Sequence, residues 1–254
     1  MRNVLAITGR EVRAYFASPI AYFVVGLFAL LFGWFFSTIL AFFADRSMQM
    51  GQFGGGAVNV NQMMIRPLML NASVVILFFL PMITMRTFAE EKRSGTYELL
   101  LTSPVTDAQI VLGKFLGALA LYALMLLVSL LSIGLLFLYG TPEWKPVATS
   151  YLGLLLMGGS FISLGLFFSS LTRNQIVAVV LTFATLLMLW VINWAADSAG
   201  PTTRAVLNAL SITDHFDDFS KGVVDTKHLV YYLSFITFGL FLTAKSVDSE
   251  RWRG

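Results

Sequence analysis

Long apolar segments alternate with shorter polar ones along this sequence, and six of the apolar segments reach or approach membrane-spanning length. A helix needs about 20 apolar residues to cross the hydrocarbon core of a bilayer. These runs are continuous and lack the two-residue alternation of transmembrane strands. The pattern therefore predicts an all-α membrane protein that forms a single domain over residues 1–254. Its six transmembrane helices are predicted at residues 20–43, 68–85, 115–139, 151–171, 176–196 and 229–244.

The segment before the first apolar run, within residues 1–18, has a helical periodicity. At 100° per residue, one arc is apolar and consists of Val4, Leu5, Val12, Tyr15 and Phe16. The opposite arc is basic and contains Arg2, Arg10 and Arg13. Such a distribution predicts an amphipathic helix that lies in the membrane interface. Two roles remain open for it, a generic membrane anchor or a brace for a partner protein.

The polar segment between the second and third apolar runs, residues 86–107, carries several signals of helix ends. Its first eight residues are expected to continue the second transmembrane helix. Gly95 suits the end of that helix and Thr96 the start of a new one. Glu98 would lie in the first turn of the new helix, where the helix dipole favours an acid. The spacing predicts a short helix over residues 96–101, on the same side as the N-terminus.

Three consecutive leucines, residues 99–101, give this short helix an apolar surface with no core of its own to cover it. We expect either lipid or a partner protein to cover them. Directly afterwards, Thr106 and Gln109 have the spacing of a capping box, which predicts where the third transmembrane helix begins.

Composition narrows the class of protein. Hydrophobic residues make up 57% of the chain and charged residues only 12%, whereas soluble domains average about 25% charged. These values exclude an ordinary soluble enzyme, a disordered chain and a nucleic-acid-binding module. With the N-terminus inside, 11 Lys and Arg residues fall in inner segments and six in outer ones. The positive-inside rule therefore predicts that both termini are cytoplasmic.

Candidate chemistry is sparse. The Gly113-Lys114 pair lacks the upstream glycine of a phosphate-binding loop, so this chain is not expected to hydrolyse ATP. The absence of cysteine excludes thiol chemistry and disulfides. His215 with Asp217 and Asp218 could form a metal or acid–base cluster, although neutral side chains at an outer membrane face explain them as well.

The predicted transmembrane helices carry no ionisable residue between their ends, which argues against a proton-coupled carrier. Asn193 could line a pathway or hydrogen-bond between helices. The Gly113 and Gly117 pair indicates close helix packing. The first outer segment, residues 44–66, is rich in Gly and Met, and a mobile loop is a simpler interpretation than a soft-metal site.

Four segments together resemble the six-helix permeases of type 2 ABC transporters, above all the gliding-motility-type and copper-processing permeases. They are REVRAYFASPIAYF at residues 10–23, ITMRTFAEEKRSGTYELLLTSPVTDAQIVLGK at 83–114, FFSSLTRNQIVA at 167–178 and DHFDDFSKGVVD at 214–225. The resemblance implies a half-transporter that pairs with a second copy or a sister permease. Separate cytoplasmic ATPase subunits would bind ATP and Mg, and this chain would bind no cofactor.

By the same resemblance, the short helix at residues 96–101 is the coupling helix that docks on the ATPase. The residues expected at that interface are Glu90, Glu91, Arg93, Gly95, Thr96, Glu98, Leu99 and Leu100. The first and fifth transmembrane helices would form the dimer seam and line the pathway. The residues expected there are Trp34, Trp190, Asn193 and Trp194. No catalytic or metal-binding residue is expected.

The leading hypothesis is therefore the permease subunit of an ABC exporter, a transporter component and not an enzyme, in the bacterial inner membrane. The resemblance also leaves room for a periplasmic accessory subunit. Two alternatives come from other classes. A secondary carrier or channel would work without an ATPase, and a membrane-embedded lipid enzyme would use His215 and the acids near it.

Overall fold

The computed structural model describes residues 2–52, 59–101, 105–140, 142–197 and 200–251, and within these ranges the chain is helical with no strand. A short π-helix, Asn61–Ile65, precedes α3. The α-helices in chain order are α1 Arg2–Ala17, α2 Pro19–Gln52, α3 Arg66–Thr84, α4 Ala89–Ser94, α5 Thr96–Leu101, α6 Asp107–Tyr139, α7 Trp144–Leu171, α8 Gln175–Asp197, α9 Pro201–Leu210, α10 Ile212–Ser220 and α11 Thr226–Arg251.

Six of these helices, namely α2, α3, α6, α7, α8 and α11, are long and apolar enough to cross a membrane. Each coincides with one of the six predicted apolar segments to within one residue or contains it, so the predicted all-α, six-helix membrane fold is confirmed. Two helices are central, because 67% of the most apolar stretch of α3 and 72% of that of α7 is buried. The corresponding share for α2 and α8 is only 17%, so most of their apolar surface faces outward.

The helices around α7 approach closely because α7 presents glycine where its neighbours present side chains. A Cβ at Gly158 would lie 2.2 Å from the ring of Tyr122 on α6, and one at Gly165 would lie 2.0 Å from Thr84 on α3. The Tyr122 hydroxyl also donates a hydrogen bond to the carbonyl of Leu154 on α7, at 2.6 Å. These contacts fix α3, α6 and α7 into one central unit.

The bundle has two ends, which we call proximal and distal. The proximal end holds α1, α4, α5, the α7–α8 turn and the last turns of α11, and Lys92 on α4 pairs there with Glu250 on α11. The distal end holds the π-helix, the α6–α7 turn, α9 and α10. There Arg66 at the start of α3 pairs with Asp217 on α10.

Helix α1 forms as expected, but its packing surface differs from its apolar arc. The buried residues of α1 are Ile7 and Glu11, whereas Leu5 on the apolar arc is 67% exposed. Ile7 and Glu11 fill the space above Gly113 and Gly117 of α6, where an added Cβ would lie 2.6 and 2.7 Å from them. The predicted close packing at this glycine pair is therefore the contact between α1 and α6.

Several local predictions have clear outcomes. The capping box of Thr106 and Gln109 is present at the start of α6, and Gly95 ends α4 with a left-handed φ of 73°. The segment expected to form a helix near residues 202–210 is α9, and it is followed by a second helix, α10, which was not expected. The glycine-rich stretch at residues 51–56 lies mostly outside the described residues.

Candidate functional site

The segment between α3 and α6 at the proximal end, residues 85–101, is the candidate site, and we call it the connector. The expected continuation of the second transmembrane helix through residue 93 is present as α4, but with a break, because the helix stops at Thr84 and resumes at Ala89. Ser169 on α7 occupies the break. Its hydroxyl accepts hydrogen bonds from the backbone N–H groups of Phe88 and Ala89 at 3.1 Å and donates to the Met85 carbonyl at 3.0 Å.

A buried ion cluster joins the connector to α1 and α6. The Lys114 ammonium on α6 lies 3.0 Å from Glu11 Oε1 and 2.9 Å from Glu91 Oε1, and it donates to the Thr87 carbonyl at 2.7 Å. Arg10 Nη2 contacts the same two carboxylate oxygens at 3.0 and 2.9 Å. The Lys114 side chain is fully buried, so it could not stay charged there without these partners.

A second lysine joins the connector to α7 and α11. Lys92 Nζ donates to the Ser170 carbonyl at the end of α7 and lies 2.5 Å from Glu250 Oε1 on α11. The Lys92 side chain is only 5% exposed, whereas that of Glu250 is 35% exposed, so this pair is less sheltered than the Lys114 cluster. The connector is therefore bound by polar contacts to four other helices, α1, α6, α7 and α11.

Tyr97 fixes α5 to the rest of the connector. Its ring is buried, makes an edge contact with Phe88 at 6.3 Å and has the Lys92 ammonium 5.1 Å from its centre. Burial raises the pKa of Tyr97, so the residue stays neutral at physiological pH. The chain reverses at Gly95, and Thr96 and Glu98 on either side of Tyr97 are exposed. Helix α5 is thus packed against the connector through Tyr97 and exposed at Thr96 and Glu98.

The predicted interface residues separate into two groups. Arg93, Gly95, Thr96 and Glu98 are exposed, and Glu90 pairs with Arg86 at 2.9 Å in a partly exposed bridge. Glu91 differs, because its carboxylate is turned inward to Lys114 and its side chain is only 18% exposed. The side chains of Leu99 and Leu100 lie outside the described residues.

Sequence reasoning missed four residues that hold the connector: Glu11, Lys114, Ser169 and Tyr97. A usable signal existed for two of them. Glu11 is the sole acid in α1, among three arginines, and Lys114 stands between Gly113 and an apolar run with no acid within four positions of it. Ser169 and Tyr97 carry no such signal, because their roles depend on how α7 and α4 are placed in space.

At the distal end, His215 on α10 and His228 on α11 face each other with their Nδ1 atoms 2.6 Å apart. His228 Nε2 lies 2.8 Å from Asp218 Oδ2, and the His215 ring stacks on Tyr231 at 3.8 Å. Burial lowers the pKa of His215, and the nearby His228 acts in the same direction. This row of groups connects α10 to α11.

The cluster hypothesised from His215, Asp217 and Asp218 does not assemble. Asp217 points away from the histidines and pairs with Arg66 at 2.6 Å and Lys221 at 2.5 Å. Partial burial acts to raise the pKa of Asp217, but the hydrogen bonds from Lys221 and Arg66 outweigh it and keep that pKa below its usual value. Within the described ranges, no group of three or more His, Asp or Glu side chains is arranged to hold a metal ion.

The four residues expected at a seam or pathway lie in two different settings. Trp34 on α2 and Trp194 on α8 are 62% and 66% exposed and point away from the bundle. Trp190 and Asn193 instead line a distal cavity of about 260 Å³ between α3, α8 and α10. There the Asn193 amide lies 3.5 Å from Asp214 Oδ1.

Taken together, these contacts connect one exposed short helix to several membrane helices. Comparison with known proteins agrees with a membrane transport role. Residues 47–194, which include the whole connector, match the family described as ABC-2 family transporter protein.

Two curated relatives, from Escherichia coli (strain K12) and Escherichia coli O157:H7, both carry the name probable multidrug ABC transporter permease YbhR. Each is 28% identical to this chain over 143 residues. The match covers 56% of this chain and 38% of the relative, so less than half of the relative's length is represented.

Proposed function

The chain belongs to the ABC-2 transporter family, whose match covers more than half of its length, and from this premise we propose that it is the permease subunit of an ABC exporter. In this proposal, separate ATPase subunits bind ATP and Mg, and α5 is the helix through which they act. The observation that carries the proposal is the structure of the connector. Its exposed helix, α5, packs on α4 through Tyr97, and the rest of the connector is joined to α1, α6, α7 and α11 by polar contacts.

A displacement of α5 would pass first to α4 and from there along two branches. Tyr97 transmits it to α4, because its ring is packed between Phe88 and Lys92. Helix α4 passes it to α1 and α6 through Lys114 and to α11 through Lys92. Buried contacts are closely packed and relax little, so such a movement shifts helices as units.

We place the proximal end in the cytoplasm, where an ATPase could reach α5. The support is the excess of Lys and Arg in the segments at that end, 11 against six. The inner membrane of a bacterium is the corresponding location.

We also propose that two permease chains, either identical or sisters, pair through α2 and α8. These two helices are apolar, yet only 17% of their most apolar stretches is buried within the chain. Trp34 and Trp194 are large exposed side chains on these two helices.

Site-directed crosslinking tests the ATPase partner first, since the chain contains no cysteine. A single cysteine at exposed Thr96 is expected to crosslink, in native membranes, to an ATP-binding subunit, with a yield that changes when ATP is added. Thr202→Cys, exposed on α9 at the distal end, is the matched control and should give no such product. A chain that moves solute without any such partner would instead favour a secondary carrier or channel.

Substitutions that place a new charge on α5 test coupling itself. Glu98→Lys or Leu100→Asp is expected to separate ATP hydrolysis from transport while membrane insertion stays normal. Glu143→Lys makes the same charge change at an exposed distal position and should leave both activities intact. Normal transport by both α5 variants would contradict the assignment of α5. His215→Ala should change transport little, and a complete loss would revive the lipid-enzyme alternative.

A further inference from the structure

A cavity of about 460 Å³ lies at the proximal end between α1, α2, α3 and the connector. Its volume is within the range of small-molecule sites, which is about 300–1,000 Å³. One wall is apolar and is formed by Ile20, Ala21, Val24, Met82, Ile83 and Leu121. The other wall is polar and is formed by Arg10, Glu11, Tyr15, Arg86, Glu90 and Glu91. The cavity lies where α2 begins and α3 ends, at one end of the apolar helices.

Two residues of the lining each carry a buried oxygen that has no hydrogen-bond partner within the described part of the chain. The two atoms are the Tyr15 hydroxyl oxygen and Glu91 Oε2. Buried polar atoms are nearly always paired, and leaving one unpaired costs about 1–3 kcal/mol. An ionised carboxylate can only accept, so the group that satisfies Glu91 must carry an N–H or O–H.

Two guanidinium groups lie in the same polar wall. Arg10 contacts Glu11 and Glu91 through Nη2, and Arg86 contacts Glu90 through Nε. Each guanidinium has five N–H donors, so both arginines keep donors that could bind a phosphate oxygen. The polar wall is therefore suited to a ligand that has a donor group and a phosphate.

The charges of the ion cluster beside the cavity indicate the net charge of the ligand. Three cations, Arg10, Arg86 and Lys114, face three carboxylates, Glu11, Glu90 and Glu91. A balanced cluster favours a ligand of zero net charge, because an anionic lipid would add an uncompensated charge in a sheltered place.

We propose that this cavity binds a zwitterionic phospholipid with a primary amine, of the phosphatidylethanolamine class. Its ammonium would donate to Glu91 Oε2 and the Tyr15 hydroxyl, its phosphate would accept from the arginines, and its acyl chains would cover the apolar wall. Phosphatidylcholine has the same net charge, but its quaternary ammonium has no N–H to donate. The inference rests on the cavity alone and needs neither an ATPase nor a known cargo.

The test measures how well a bound lipid shields a cysteine placed at Ser18, which lines the cavity. The full-length variant is reconstituted in nanodiscs of phosphatidylcholine, in which the fraction of phosphatidylethanolamine or phosphatidylglycerol is raised stepwise. Maleimide labelling at Ser18→Cys is expected to slow as phosphatidylethanolamine replaces phosphatidylcholine, and to stay constant with phosphatidylglycerol. Equal protection by all three lipids, or none by any, would overturn the proposal.

Substitutions locate the effect. Tyr15→Phe keeps the ring but removes one hydrogen bond, so about two- to tenfold more phosphatidylethanolamine should be needed for half protection. Ala14→Phe should fill the cavity and abolish the lipid dependence, whereas Ala17→Phe, on the same helix but outside the lining, should preserve it. If Tyr15→Phe and Ala14→Phe both retain the full lipid dependence, the lipid binds elsewhere.

A soluble probe separates a membrane lipid from a free headgroup. Glycerophosphoethanolamine has the amine and the phosphate but no acyl chains, and it is added to phosphatidylcholine nanodiscs. Protection that requires the whole lipid supports the proposal, because the apolar wall then contributes. Protection by the soluble headgroup at similar concentrations would overturn the lipid assignment.

Discussion

Ion pairs hold both ends of this helix bundle, but the two ends use them in opposite surroundings. At the proximal end, the side chain of Lys114 is completely buried between two carboxylates and a carbonyl. At the distal end, Arg66 and Asp217 form a shorter pair, at 2.6 Å, while 38% and 34% of their side chains stay exposed. Short distances alone therefore do not measure the importance of a pair.

The difference in burial determines what each pair can do. A solvated pair can be broken at little cost, because water replaces the lost partner. A buried one cannot, because a carboxylate left alone in an apolar setting has no substitute for its cation. The proximal cluster thus keeps α1, α6 and the connector together as one unit, whereas the distal pairs add little to the buried side chains that hold α10.

The largest expected effect comes from Lys114→Met, which removes the buried cation between Glu11 and Glu91 and leaves them only the half-exposed Arg10 as a partner. The loss of stability should be about 3–5 kcal/mol. Thermal unfolding in detergent should show a large fall in the melting temperature. Lys114→Met combined with Glu11→Gln and Glu91→Gln removes the charges together and should recover much of the loss. If the single variant melts like the parent, the cluster is not essential.

Gly113→Ala should have the next largest effect, because the added methyl group would lie 2.6 Å from Ile7 and push α1 away from α6. Overpacking of this kind costs about 1–3 kcal/mol. Cysteines at Asn3 and Gln109, whose side chains lie 3.2 Å apart, would report the separation through slower disulfide formation. Gly134→Ala on the same helix has open space around it and serves as the control. Equal rates in the two variants would show that α1 tolerates the methyl group.

Arg66→Gln tests the exposed ion pair at the distal end. Asp217 keeps Lys221 as a partner and both groups reach solvent, so the expected loss is about 0.2–1 kcal/mol. The same melting assay used for Lys114→Met measures it, and added salt should reduce the difference from the parent further. A loss as large as that of Lys114→Met would remove the contrast between the two ends.

The smallest effect is expected from the titration of His215. Burial lowers its pKa, so packed α10 disfavours the proton that a solvent-exposed histidine gains near pH 6.5. The stabilising contribution is therefore complete above that pH and is lost as the pH falls further. Backbone hydrogen exchange over residues 212–220 should accelerate between pH 7.5 and pH 5.5, after correction for the intrinsic rate. His215→Phe, which keeps the aromatic stack, should flatten this dependence.

Hydrophobic patterning was sufficient to predict the six long helices, because a run such as residues 151–171 has few alternatives to crossing a membrane. Local capping rules were also sufficient for Gly95 and for Thr106 with Gln109. They failed at the break after Thr84, because Ser169, which takes up the freed N–H groups, is about 80 residues away in sequence. The charge cluster was missed for the same reason, since Lys114 and Glu11 meet only through tertiary packing.

The contact between α1 and α6 has a consequence for the order in which the chain is made. Glu11 and Lys114 are separated by 103 positions, so the first helix leaves the ribosome long before its partner exists. During that interval α1 must wait at the membrane surface, where Arg2, Arg10 and Arg13 can hold it against anionic lipid. Only after the third membrane-crossing helix has been inserted can the N-terminal helix reach its final position. Assembly of the proximal end is therefore a late event in biogenesis, although α1 is translated well before α6.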